Sequence, residues 1–62
     1  MGENEPKYHK EKAAAERLNL SVFTLRNWRN IGKGPRFCKF GRSVRYPSDE
    51  LQKYAEQRKV SM

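Results

Sequence analysis

The apolar positions along this chain change their period three times, and each change marks an element. From Glu11 the spacing is helical: Glu11, Ala14, Ala15 and Leu18 fall at i, i+3, i+4 and i+7, which predicts a short helix with a small-residue face. His9 and Lys10 are weak caps for its start. Asn19 enters the left-handed region at little cost and predicts a tight turn. Ser21 is a good N-cap for a second helix running to about Ile31. On that helix Val22, Leu25 and Trp28 share one face, while Phe23, Asn27 and Asn30 lie opposite with Arg26 at the edge. Gly32 and Gly34-Pro35 end it.

The period then drops to two. Cys38 and Phe40 flank Lys39, Val44 and Tyr46 flank Arg45, and Gly41-Arg42-Ser43 lies between the two runs. This predicts a β-hairpin with Cys38, Phe40, Val44 and Tyr46 on one apolar face and the basic residues on the other. Pro47-Ser48 opens a last helix, with Ser48 placed to cap it, Asp49 and Glu50 suited to its positive end, and Leu51, Tyr54 and Ala55 facing inward. Residues 1–8 show no period and contain Pro6, which predicts a flexible arm before a domain over residues 9–60.

Assembled, these elements predict a mainly α fold with a small β-hairpin: two helices of a helix-turn-helix, a two-stranded wing and a C-terminal helix. A helix-turn-helix needs small residues where its helices touch, a short turn, and apolar residues that lock the second helix. Ala14, Ala15 and Leu18 supply the first, Asn19 the second, and Leu20, Leu25 and Trp28 the third. Trp28 lies on the inward stripe and is expected in the core rather than stacked on a nucleotide.

Size and composition narrow the function. A chain of 62 residues buries only roughly 60% of its unfolded surface, too little for a core that also encloses a substrate. No enzymatic activity, cofactor or small-molecule ligand is expected. The single Cys38 and single His9 have no neighbours at metal-ligand spacing, and a buried apolar thiol is the expectation for Cys38. No apolar run reaches the ~20 residues of a membrane span, and no signal-peptide pattern opens the chain. A cytoplasmic protein, with no membrane partner, is expected.

Charge placement points to the partner. Lys and Arg total 14 against 7 acids, and the pI is near 10.0. Between Leu18 and Ser48 there is no acid, yet Arg26, Arg29, Lys33, Arg36, Lys39, Arg42 and Arg45 all lie there. The whole net charge of +7 therefore belongs to the second helix, the hairpin and the link between them. Such segregation is the electrostatic footprint of a polyanion ligand.

The second helix is the candidate major-groove reader, through Ser21, Phe23, Thr24, Arg26, Asn27 and Asn30. Arg26 suits guanine O6/N7 and Asn27 adenine N6/N7, with phosphate contact or plain solvation as the competing roles. Thr24 and Phe23 fit a thymine methyl, although Phe23 has a second expected role, covering the base of the wing. At the hairpin tip Gly41, Arg42 and Ser43 are candidates for the minor groove. Arg29, Lys33, Arg36, Lys39 and Arg45 are expected to meet phosphates.

The ordered set Ala14, Ala15, Leu18, Ser21, Thr24, Leu25, Arg26, Trp28, Gly32, Gly41, Arg42, Arg45 and Tyr46 resembles the excisionase/AlpA-like branch of the MerR-type winged helix-turn-helix superfamily. Three departures stand out: His9-Lys10 replaces the Thr cap common in that family, Ala13 stands where Glu is common, and Phe23 is bulkier than usual. The resemblance implies an excisionase, or recombination directionality factor. Such a protein binds side by side at attachment-site DNA in a bacterial host, bends it and directs a tyrosine integrase toward excision. An AlpA-like transcriptional regulator is the alternative within the fold. From another class comes a non-specific RNA-binding or protein-interaction module, disfavoured because RNA modules usually expose aromatic platforms and most aromatics here fall at core positions.

Overall fold

The computed structural model describes residues 7–60. Its elements run β1 (Tyr8–His9), α1 (Glu11–Leu18), α2 (Val22–Asn30), β2 (Cys38–Phe40), β3 (Ser43–Pro47) and α3 (Ser48–Gln57). The helices form where the spacing places them. Asn19 closes α1 in the left-handed conformation (φ 58°, ψ 42°), its N–H and that of Leu20 returning to Glu16 and Ala15 carbonyls. Ser21 caps α2, its Oγ accepting the Thr24 N–H at 3.1 Å. The polar side chain thereby satisfies one of the orphan donors of the first turn.

The core is small. Ala14 and Ala15 of α1, Leu25 of α2, Tyr46 of β3 and Leu51 of α3 are buried, with Leu18, Val22, Trp28 and Val44 packed around them. Two alanines at the α1–α2 contact let the backbones approach, which the short turn at Asn19 requires. Trp28 is half-buried and packs on Tyr54, ring centroids 6.1 Å apart, so its core role holds. Ala55 is exposed and does not join the inward face of α3.

The sheet differs from the expected hairpin in strand count and in register. A third strand, β1, pairs antiparallel with β3 (Tyr8 opposite Pro47, His9 opposite Tyr46), giving the order β1-β3-β2. Residues 1–6 of the expected arm lie outside the described residues. Tyr8 belongs to the sheet, and the Lys7 carbonyl accepts the Ser48 N–H at 2.8 Å. Two residues are too short to announce a strand by alternation.

The wing turn has two residues, Gly41 and Arg42, rather than three. Ser43 pairs with Phe40, Val44 with Lys39 and Arg45 with Cys38. Gly41 has φ +63° while Arg42 does not enter positive φ, as in the II′ turns that match the twist of paired strands. Shortening the loop by one residue slips the register by one, and a one-residue slip turns a strand to its other face. Cys38 and Phe40 therefore share a face with Ser43 and Arg45, while Val44 and Tyr46 face the core with Lys39 in register beside them. The expected single apolar face is thus divided. Phe40 is 54% exposed and meets Tyr8 edge-on at 5.5 Å, and Cys38 is half-buried rather than sealed in the core.

The start of α3 also departs from expectation. Pro47 occupies the cap position, with no side-chain cap. Ser48 Oγ instead hydrogen-bonds His9 Nε2 at 2.9 Å, tying β1 to α3. At the far end of α2, Gly34 adopts φ +87° and a Cβ there would lie 3.1 Å from Trp28 Cε3. At Gly41 a Cβ would meet nothing within 4 Å. Both positions penalise an L side chain by about 1–2 kcal/mol through the backbone, but only Gly34→Ala must also displace Trp28. Thermal denaturation should therefore show the larger loss for Gly34→Ala than for Gly41→Ala.

Candidate nucleic-acid interface

At the 3.6-residue pitch of α2, Phe23, Arg26, Asn27 and Asn30 fall within an arc of about 100°, and all four are exposed. This arc is the open face of the second helix, opposite buried Leu25. Ser21 and Thr24 also have a local role at the start of the helix. Their hydroxyls hydrogen-bond each other at 2.9 Å while Ser21 caps the helix, and Thr24 is half-buried. Phe23 is 76% exposed and does not cover the base of the wing, which settles one of its two expected roles against it. Its ring lies 6.0 Å from the Arg26 guanidinium carbon, within reach of a cation–π contact.

The acid-free stretch meets a carboxylate in three dimensions. Glu11, on the first turn of α1, accepts from Arg26 Nε at 3.1 and 3.2 Å and from Arg26 Nη2 at 2.6 Å. The same carboxylate takes Arg29 Nη1 at 3.4 Å, and Arg29 in turn donates to the Tyr46 hydroxyl at 3.1 Å. Glu11 is suited to this place because a carboxylate at a helix N-terminus complements the dipole, and α1 has no side-chain cap. The hydrogen bonds from Arg26 hold the Glu11 carboxyl below its ordinary pKa; partial burial opposes this, and the Arg26 and Arg29 charges add to it. Arg26 is correspondingly raised, first by its hydrogen bonds to Glu11. This pairing was not foreseeable from spacing, since the partners are 15 residues apart.

The remaining basic residues separate into groups. Arg29 is turned inward, its side chain 19% exposed, with its guanidinium 5.7 Å from the Phe37 ring. It serves as a strut between α1, α2 and β3 through its Nη1 contacts with Glu11 and Tyr46. Arg42 and Ser43 at the wing, with Arg45, Lys10, Glu11, Val44 and Arg29, line a cleft between the start of α1 and the hairpin. Gly41, Arg42 and Ser43 are all exposed. Arg45 is half-buried and donates to the Val44 carbonyl at 2.9 Å. Lys39 is exposed, but the register puts it on the opposite sheet face from Arg45, so the two do not form the shared basic face that simple alternation predicts. Lys33 and Arg36 lie in grooves along α3, near Lys53 and Arg58, away from the cleft beside the wing.

The exposed arc of α2, the two-helix unit that carries it and the projecting wing turn agree with one comparison. The profile of the helix-turn-helix domain family matches residues 11–59. The chain belongs to the helix-turn-helix domain family. No curated protein matches it. This helix-turn-helix domain is a winged, three-helix form, and domains of the family bind double-stranded DNA. Among the described residues no helix is long and apolar enough to cross a membrane.

The depressed Glu11 pKa fixes the sign of one pH effect. A group whose folded pKa is lowered stabilises the fold fully above its unfolded pKa, and that contribution disappears as pH falls through the folded value. Native protein should be more stable than Glu11→Gln near neutrality, and the gap between their melting temperatures should shrink as pH is lowered through the carboxylate range. A stability gap independent of pH would contradict this assignment of the clamp.

Proposed function

We propose that this helix-turn-helix domain is a sequence-specific, non-catalytic architectural protein of the excisionase type, binding duplex DNA at a recombination site. The observation that carries the DNA-binding part is the exposed arc Phe23, Arg26, Asn27 and Asn30 on α2, set in a stretch of chain that holds all the net positive charge. An exposed helical face of that width enters the major groove, where base edges offer distinguishable donors and acceptors. Asn27 and Asn30 read bases, and Arg42 at the wing turn reaches the adjacent minor groove or its phosphates.

The recombination role rests on the resemblance carried by Ala14, Ala15, Thr24, Leu25, Arg26, Trp28, Gly41, Arg42, Arg45 and Tyr46. One winged helix-turn-helix domain covers little DNA, so occupancy of a regulatory site is built from domains side by side or from a partner. In this reading several copies bend attachment-site DNA and bias a tyrosine integrase toward excision. The protein works in the bacterial cytoplasm at the nucleoid.

Footprinting on the DNA flanking the gene, with protein titrated, tests the proposal. Cooperative protection of neighbouring repeats, bending in a circular-permutation assay and stimulation of excision by the neighbouring integrase are the expected outcomes. A single isolated complex with no bend and no effect on excision would sink it. Protection confined to a promoter, with altered transcription, would replace it with an AlpA-like regulator.

Electrostatics gives a second check. Log affinity should fall with log salt at a slope near −0.9 for each phosphate neutralised. Arg42→Ala should weaken binding to all duplexes and reduce that slope by about one contact, whereas Asn27→Ala should relax preference at one or two positions.

A further inference from the structure

Arg26 is the one large cation on the open arc of α2, and the clamp constrains how it can be used. A guanidinium carries five N–H donors in a planar fork. Glu11 occupies the side edge, formed by Nε and Nη2, with contacts of 2.6 to 3.2 Å. The end edge, formed by Nη1 and the outer N–H of Nη2, makes no hydrogen bond among the described residues. That end edge is itself a two-donor fork with the spacing of guanine O6 and N7. The Phe23 ring, 6.0 Å from the guanidinium carbon, flanks the same group.

We propose that Glu11 is a positioning residue for base recognition: it holds the side edge of Arg26 so that the end edge is presented to a guanine in the major groove. The inference rests on the DNA-binding reading above and deepens it by naming the base class and the residue outside α2 that selects it. An unclamped arginine samples many rotamers and meets phosphates as readily as bases. The clamp removes that freedom before binding, so its ordering cost is not charged to the complex. The carboxylate also repels the DNA backbone, which weakens complexes in which Arg26 finds no guanine. The first effect strengthens the guanine complex and the second penalises the others, so together they raise discrimination.

An alternative role for Glu11 is purely structural, supporting α1 through its dipole and Arg29 through hydrogen bonding. Side-chain chemistry separates the two. Glu11→Gln keeps the length and removes the charge, whereas Glu11→Asp keeps the charge and the favourable place at the helix start but shortens the reach to Arg26. A structural role predicts changes in melting temperature without a change in base preference.

The test is selection of binding sites from a randomised duplex library by the native protein, Arg26→Ala, Glu11→Gln and Glu11→Asp. Circular dichroism confirms that each variant is folded at the selection temperature. The native motif should contain a guanine that Arg26→Ala no longer selects. Both Glu11 variants should lose about 3- to 10-fold of the preference for that guanine, the scale of one side chain's ordering cost, and keep the rest of the motif. Binding of Glu11→Gln to a duplex lacking the motif should be equal to or tighter than native. A motif changed by Arg26→Ala but unaltered by both Glu11 variants overturns the proposal and leaves the DNA-binding reading intact. A motif indifferent to Arg26→Ala also overturns it. Failure of the native protein to enrich any motif overturns sequence-specific binding, and the role of Glu11 with it.

Discussion

With so few side chains fully buried, the seating of Tyr46 decides how the sheet and the three helices hold together. Its ring is buried among Ala14, Ala15, Leu25 and Leu51, so α1, α2 and α3 all meet it or its immediate neighbours. Its backbone stands opposite His9 of β1, and its hydroxyl accepts from Arg29 of α2. A buried tyrosine is stable only when the hydroxyl has a partner. Arg29 meets that requirement, and in doing so fixes the separation between α2 and the wing strand. The geometry of the interface follows, because the open arc of α2 and the tip of the hairpin are carried by the two elements that Tyr46 and Arg29 join.

The second organising feature is a carboxylate at the edge of a cationic surface. Glu11 binds two arginines one helical turn apart on α2, and one of these continues to Tyr46. The chain of contacts runs from the solvent-exposed face of α2 to the centre of the core. Its outer pair is half-exposed and contributes little to stability, as surface ion pairs generally do. Its consequence is orientation. Arginine has many rotamers to lose, and a planar bidentate partner selects among them.

Much of the fold is legible along the chain because it depends on local chemistry. The left-handed turn at Asn19, the Ser21 cap, the glycine stop after α2 and the helical spacing of Ala14, Ala15, Leu25 and Leu51 each act within one or two turns of backbone. What was not legible depends on register and on distant partners. The hairpin residues read equally well with a two- or a three-residue loop, and that one-residue difference decides whether Phe40 and Cys38 face inward or outward. Strand β1 is too short to alternate. Ser48 looks like a cap until His9 is brought to it across 39 positions.

The sequence by itself determined the partner class and the scaffold. Charge segregation and periodicity are sums over neighbouring residues, and neighbouring residues suffice to establish them. The tertiary structure alone decided where each basic side chain sits and what it meets. Arg29 became a strut, Arg26 a clamped donor, Lys39 and Arg45 were set on opposite faces, and Lys33 and Arg36 went to the side of α3. The reason is physical. A guanidinium binds whichever carboxylate, hydroxyl or phosphate the fold brings within about 3 Å, and no periodicity along the chain encodes that distance.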